Sequence, residues 1–378
     1  MDKFIELVRD MHTECYETVL NKIFTNKIRV AMLSVFDVKN SVANAKEFRK
    51  QLNLTHFITL PENVPETSDA DIEFMSVYDA INQHFRPEYI FTVNPVDARF
   101  AAKHFTASKV LFPERENTAE IYNAFMSNLP ALKKVYDALI DEESRETFCG
   151  YWLGNVSNRL DKIHHAKNPH YMVPGFIPER GAIVIDGGSY DGGTCLRFTE
   201  RGFKVYGFEM DKNIFAHASK VAKQNKFVVE NCGLGAHNHE SKYLPLDGGS
   251  THLDDDGNEV ARIITLDSYV REKNLPRVDL IKLDVEGAEL DVLQGAAVTI
   301  SRFKPILLLS AYHKWDDFWT LFEFVKALNP EYEFALRQFS VSIEDEPFAV
   351  DEKLFRQMEL LRLEPRYKNF SECVLLAR

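Results

Sequence analysis

Apolar and polar positions along the chain fall into two blocks in which short strand patterns alternate with helical ones. In the first block IRVAMLSV (28–35), FITL (57–60), YIFTV (89–93) and KVLFP (109–113) are β-rich apolar runs. Helical periodicity fills the gaps in AKEFRKQL (45–52), AINQHF (80–85) and ARFAAKHF (98–105), behind an amphipathic helix at the N-terminus. Strands alternating with helices imply a parallel sheet. A long helical stretch over 118–160, interrupted at Pro130, follows. Then DKIHHAKNPHYMVPGFIPERG (161–181) carries three prolines and loses periodicity, which sets a boundary near 165–180.

In the second block AIVIDGG (182–188), KVYGFEM (204–210), FVVENCG (227–233), VDLIKLDVE (278–286) and PILLLSAYH (305–313) read as buried strands. Helical segments at 192–201, 211–224, 288–301 and 316–328 follow four of them. The third leads instead into a β excursion, KYLPL and ARIITL. The chain closes with two strand patterns, YEFALRQFS (332–340) and SECVLLAR (371–378). A charged helical pattern, DEKLFRQMELLRL (351–363), lies between them.

At 378 residues the chain is expected to form two domains, 1–165 and 166–378. With 45 Lys plus Arg against 57 Asp plus Glu, the net charge of −12 argues against nonspecific binding to nucleic acid or anionic membrane. Cys15, Cys149, Cys195, Cys232 and Cys373 are scattered, without a CxxC pair, which suits reduced thiols in a cytoplasm and neither a disulfide framework nor structural zinc. Apolar runs such as 306–309 are far short of the roughly 20 residues a membrane helix needs. A cytoplasmic protein with no membrane span is expected.

The sharpest local signal is the first strand-to-helix turn of the second block, IDGGSYDGGT, from Asp186 through Gly187, Gly188, Ser189, Tyr190, Asp191 and Gly192 to Thr194. Its glycines let backbone pass close to a ligand at a helix N-terminus. Glu209 ends the next strand, about twenty residues on, where a carboxylate can grip a ribose diol. An adenosine cofactor follows from the pair. Asp186 and Asp191 would repel a pyrophosphate, and G-x-G-x-x-G spacing is absent; both carboxylates suit an ammonium instead. S-adenosylmethionine carries that ammonium and no phosphate, so it is preferred to NAD. Met210 is placed to pack on adenine or on ordinary apolar neighbours, and Asn231 and Cys232, after the third strand, are placed to touch the adenine ring.

These residues resemble the FkbM-type S-adenosylmethionine-dependent methyltransferases. IKLDVEGAELDVLQGA (281–296) is similar to that family's fourth strand and helix, GFEMD to its second-strand acid, and TLDSYV (265–270) to a short motif before the fourth strand. AYHKWDDFW (311–319) and SECVLLAR resemble members with a His after the fifth strand, and the likeness runs over 171–378. It implies a Rossmann-like seven-strand methyltransferase sheet with its last strand antiparallel; the strand–helix alternation of the first half places a smaller, degenerate Rossmann-like α/β domain before it, an α/β fold throughout. The resemblance also implies methyl transfer to a hydroxyl oxygen of a sugar or natural product. Ser189-Tyr190 stands where many members carry Ala-Asn, and 341–370 is longer than the usual link. By resemblance too, Ser250 lies near the acceptor, where a plain Gly-rich turn is the simpler reading, and the segment of Tyr171 folds over the cofactor.

Methyl transfer from a sulfonium is a positioned displacement, and an alcohol nucleophile must also lose a proton. Candidates lie at the carboxyl ends of the fourth and fifth strands. Asp284, Glu286 and Lys282 share an alternating face if the strand stays extended. His313 ends the fifth strand and is the expected proton acceptor, on the ground that imidazole titrates near neutrality. Glu286 has a second reading, as a cap for the helix starting near Ala288. Asp284, Glu286 and His313 could also hold a divalent cation, which is possible but not expected, so no metal ligand is assigned.

The first domain has no glycine in the turn after its first strand, SVFDVKNSV, so a phosphate could not be cradled there in the usual way. It is read as a recognition or oligomerisation module with a helical connector, a homo-oligomer being possible. The expected activity is O-methylation of a sugar or glycan precursor hydroxyl. The alternatives are methylation of a non-carbohydrate secondary metabolite, a silent scaffold, and an NAD enzyme.

Overall fold

The computed structural model describes residues 3–35, 45, 49, 53–64, 72–113, 117–244, 252–253, 256–342, 366–367 and 371–378. Its contacts divide the chain into two units. Segments 1–129, 146–165 and 340–370 make up the first, and 130–145, 166–339 and 371–378 the second. The chain therefore does not change unit at a single cut near 165.

In the first unit, helices α1 (Lys3–Glu14) and α2 (Tyr16–Thr25) precede strands β1 (Val30–Leu33), β2 (Leu54–Thr59), β3 (Glu73–Ser76), β4 (Tyr89–Phe91) and β5 (Lys109–Leu111). The sheet order is β3-β2-β1-β4-β5, with every pairing parallel. All four residues of β1 are buried, as a central strand covered on both faces requires. β3 was not anticipated: EFMS is a half-exposed edge strand whose pattern lacks an apolar run. Helix α3 (Val77–Asn82) is capped by Ser76 and α4 (Pro95–His104) by Asn94, each through a side-chain oxygen accepting an N–H. At the carboxyl end of β1 the Val35 N–H donates to buried Asp97 Oδ1 at 2.9 Å, so a carboxylate of the chain itself serves this backbone donor. The helix expected over 45–52 lies almost wholly outside the described residues.

Helices α5 (Thr118–Ser127), α6 (Leu129–Ala138) and α7 (Glu142–Ser157) follow. The stretch is interrupted just before Pro130, as expected: one helix ends at Ser127, and Pro130 is the second residue of α6, in the first turn, where no intrahelical N–H is needed.

The second unit is built on β6 (Ile183–Gly187), β7 (Lys204–Phe208) and β8 (Val228–Glu230), with α8 (Gly193–Glu200) and α9 (Lys212–Asn225) between them. The excursion forms a separate sheet of β9 (Gly233–Leu234), β10 (His239–Leu244), β11 (His252–Leu253) and β12 (Glu259–Ile264), closed by α10 (Leu266–Glu272). β13 (Leu280–Leu283) follows. The expected single helix over 288–301 is two, α11 (Glu289–Gly295) and α12 (Ala297–Phe303). Gly295 ends α11 against the Gly235 carbonyl, where an added Cβ would lie 2.0 Å from that oxygen. β14 (Ile306–Ser310), α13 (Asp317–Leu328) and β15 (Phe334–Gln338) come next. Val341–Ser342 (β16) pairs with Arg366–Tyr367 (β17) in the first unit, and β18 (Cys373–Ala377) returns to the second. The helix expected over 351–363 and Ser250 lie outside the described residues.

The main sheet has seven strands in the order β15-β18-β14-β13-β6-β7-β8. β18 runs antiparallel to both β14 and β15, and the other pairings are parallel. Alternate residues Val184, Leu280, Leu308, Leu376 and Ala335 line one face and pack with Phe198, Phe203, Tyr171 and Met172. The β6–β13 register sets Asp186 beside Lys282 and Gly187 beside Leu283. The carboxyl ends of β6, β7, β13 and β14 thereby form one rim. Among the described residues no helix is long and apolar enough to cross a membrane.

Candidate functional site

The glycine-rich turn hangs from the end of β6 and is tied to β7: the N–H groups of Gly188 and Ser189 both donate to the Phe208 carbonyl, at 3.1 and 3.0 Å. Gly188 has φ +72°, and a Cβ on it would lie 1.8 Å from the Asp284 carbonyl oxygen. Only glycine lets this turn pass against the end of β13. Asp191 is exposed and accepts the Gly193 N–H at 2.8 Å, in the first turn of α8. Gly192 caps that helix with a left-handed backbone, and the Thr194 hydroxyl accepts from Arg197.

Glu209, just past β7, is 7% exposed, and both its oxygens are anchored: Oε2 accepts the Tyr190 N–H at 3.0 Å and Oε1 the Asp211 N–H at 2.8 Å. Burial pushes its carboxyl up to about 7, against the pull of those two N–H groups. The acid therefore faces the loop with its remaining lone pairs fixed in direction, the geometry a vicinal diol needs. Asn231 buttresses it, donating to the Glu209 and Met210 carbonyls at 3.0 and 3.3 Å. Met210 packs on Tyr243, Ala261 and Ile263 of the small sheet, its apolar reading. Cys232 is fully buried, and burial raises its thiol.

Asp186 was expected beside Asp191 as a ligand for an ammonium. It is instead fully buried, with Lys282 Nζ at 2.9 Å and the Cys195 thiol donating to it at 3.2 Å. Lys282 also donates to the carbonyls of Gly187 at 3.3 Å and Gly188 at 2.6 Å. Burial alone would lower the ammonium, but the carboxylates of Asp186 and Asp284 hold it above its usual value. Lys282 thus fastens the turn from beneath as a permanent cation, and Asp191 is the acid of the pair that remains exposed.

Asp284 stands next to this assembly. Tyr171 donates its hydroxyl to Oδ2 at 3.0 Å and Tyr312 to Oδ1 at 3.2 Å. Burial would raise the Asp284 carboxyl, yet Lys282 and His313 hold it down at about 2. Asp284 and Glu286 do not share an extended strand: β13 ends at Leu283, and Glu286 turns with φ +52°. Both still reach His313, whose Nε2 lies 3.6 Å from Asp284 Oδ1 and 3.6 Å from Glu286 Oε2. Glu286 is therefore directed at the imidazole, while the cap position of α11, Ala288, provides no side-chain bond.

His313 Nδ1 meets Glu289 Oε1 at 2.9 Å. Burial would lower the imidazole, but that hydrogen bond and the carboxylates of Glu289, Asp284 and Glu286 lift it to about 9. The lifted imidazole favours its protonated form at neutral pH, so in this cluster His313 is a poorer proton acceptor than an ordinary imidazole.

Sequence reading missed Glu289, Tyr312 and Glu372. Glu289 is fully buried at the start of α11, and its Oε1 also accepts the Val285 N–H at 2.9 Å. Glu372 comes just before the last strand: Oε1 lies 3.4 Å from the Tyr312 hydroxyl oxygen, Oε2 lies 3.4 Å from His170 Nε2, and burial next to Asp284 raises the carboxyl to about 8. The available signals were weak: a second acid inside VEGAEL, and an acid leading an otherwise apolar strand.

Residues 186–336 match the family model described as the methyltransferase FkbM domain. The crystal structure of a methyltransferase FkbM from Methylobacillus flagellatus KT covers 100% of this chain and 98% of its own at 16% identity, with a TM-score of 0.62, which shows a common fold. A SAM-dependent methyltransferase from Agrobacterium tumefaciens (11% identity, 53% of this chain, 57% of that chain) scores only 0.32. A precorrin-8W decarboxylase from Methanobacterium thermoautotrophicum (13% identity, 53% and 82%) scores 0.30. No curated protein matches the chain. The second unit carries a methyltransferase domain of the FkbM type, over a narrower span than the 171–378 that its motifs suggested.

Proposed function

We propose that the chain is an S-adenosylmethionine-dependent O-methyltransferase whose acceptor is a hydroxyl of a sugar or glycan precursor. The observation that carries this reading is the placement of Asp284, with two tyrosine hydroxyls on it, directly against the glycine turn. The donor set fits the cofactor: Glu209 offers anchored oxygens for two ribose hydroxyls, Asp191 offers an exposed carboxylate for an ammonium, and Asn231 steadies the adenine side.

S-adenosylmethionine, held by Glu209 and Asp191, would supply a sulfonium-bound methyl group to the acceptor oxygen. Asp284 takes a hydrogen bond from the acceptor hydroxyl and receives its proton. Tyr171 and Tyr312 hold the carboxylate in one orientation, which supplies the positioning on which displacement depends. The first unit is the recognition or self-association module beside this activity.

Calorimetric titration with S-adenosylmethionine, S-adenosylhomocysteine and NAD tests the cofactor, and release of S-adenosylhomocysteine over a panel of nucleotide sugars, free glycans and phenolic acceptors tests the substrate. Binding of the first two alone, with turnover on a carbohydrate, is expected. Turnover confined to non-carbohydrate acceptors overturns the substrate class. A folded protein that binds neither compound overturns the activity.

A further inference from the structure

We propose that Asp284, Glu289 and His313 form a binding site for a divalent cation of the manganese class. Sequence reading left a divalent cation on Asp284, Glu286 and His313 possible but not expected. The fold adds Glu289 from the first turn of α11.

One ligand atom from each of Asp284, Glu289 and His313 lies within 4.8 Å of the other two. Atoms sharing one ion at bonds of about 2.1–2.3 Å sit roughly 3 to 4.5 Å apart, so small side-chain rotations close the set. A second, independent observation points to a ligand. His313 Nε2 belongs to a side chain only 9% exposed, faces carboxylate oxygens of Asp284 and Glu286 at 3.6 Å, and makes no hydrogen bond. Glu289 has the same defect: its side chain is fully buried, and Oε2 has no hydrogen-bond partner. Buried polar atoms are nearly always satisfied, and a cation would satisfy both of these within one acidic cluster. Carboxylate oxygens with a single imidazole suit Mn²⁺ better than a thiolate-seeking metal. Asp284 and Glu286 are partly exposed, at 24% and 32% of the side chain, so the site is open on one side to water or an acceptor oxygen. The cation's use in polarising that oxygen rests on the methyl-transfer reading; the site itself does not.

The test uses the full-length chain stripped of metal with a chelator, titrated with MnCl₂ while free Mn²⁺ is followed by electron paramagnetic resonance, with and without S-adenosylhomocysteine. One saturable Mn²⁺ per chain is expected, weakened at least about tenfold in both Glu289→Gln and Asp284→Asn. The surface variant Glu331→Gln should bind like wild type. Two variants guard against one failing to fold, and the wild-type titration depends on neither. Absence of saturable binding, or unchanged affinity in both folded variants, overturns the site. S-adenosylhomocysteine binding without Mn²⁺ binding overturns the metal and spares the methyltransferase reading. Mn²⁺ binding without S-adenosylhomocysteine supports the metal site and counts against the cofactor.

Discussion

Replacing Glu209 with Gln tests the cofactor assignment most directly, because the structure sets both the size and the pH dependence of the effect. The carboxylate accepts the Tyr190 and Asp211 N–H groups through different oxygens. An amide keeps one acceptor and turns an NH₂ toward the other N–H, which costs about 1–3 kcal/mol of stability for the unsatisfied buried donor. Ribose hydroxyls lose a charged acceptor, a difference of about 1–2 kcal/mol between charged and neutral hydrogen bonds, so S-adenosylhomocysteine should bind about tenfold or more weakly.

The pH profile separates this from general damage. Burial holds the Glu209 carboxyl at about 7 in the folded protein. If the ionised acid is the form that grips the diol, wild-type affinity should rise roughly tenfold between about pH 6 and pH 8, while the Gln variant stays flat. The stability contribution runs the other way. A carboxyl raised on folding adds stability that is complete below its unfolded value and is lost as pH rises through about 7. Calorimetry across that range measures both. A wild-type affinity independent of pH, or a variant that binds as tightly as wild type, refutes the ribose assignment.

Gly188→Ala should lower the melting temperature by several degrees and weaken S-adenosylhomocysteine, because a left-handed backbone at φ +72° costs an alanine about 1 kcal/mol before the Asp284 carbonyl is displaced. Lys282→Met should cost about 3–5 kcal/mol in denaturant unfolding by stranding buried Asp186, and adding Asp186→Asn should recover part of it; no recovery would mean the two do not act as a pair. Tyr312→Phe removes a hydrogen bond from Asp284 and should reduce turnover about tenfold with cofactor affinity unchanged; equal turnover dismisses it as a positioning residue.

The parallel strands were legible because central strands are continuous apolar runs, as in AIVIDGG and PILLLSAYH. β3 was not, since an edge strand exposed on one side needs no such run. Glu209 was legible from its distance to a glycine turn, a relation fixed by the strand–helix–strand unit itself. The surroundings of His313 were not. Glu289 reaches it from a helix, and Glu372 enters the same rim from a strand that returns antiparallel at the far end of the chain. Alternation along β13 predicted a common face for Asp284 and Glu286; the strand stops at Leu283, and the two acids converge on the imidazole by a different route. Pairing across a sheet was likewise invisible, so Asp186 was taken for a ligand when its register partner is Lys282.

The two charged assemblies at this rim differ in a way that separates scaffold from site. Below the glycine turn, one cation meets Asp186 and two carbonyl oxygens in a fully buried group that is disrupted if either partner is removed. Above it, Asp284, Glu286 and Glu289 crowd a single imidazole, and buried atoms of both His313 and Glu289 remain without hydrogen bonds. A sheet end that needed only stability would bury apolar side chains at these positions, since unsatisfied polar groups weaken a fold. Placing an acidic cluster with one imidazole beside a buried ion pair that fastens the backbone is the pattern expected where one serves the fold and the other is open to a ligand.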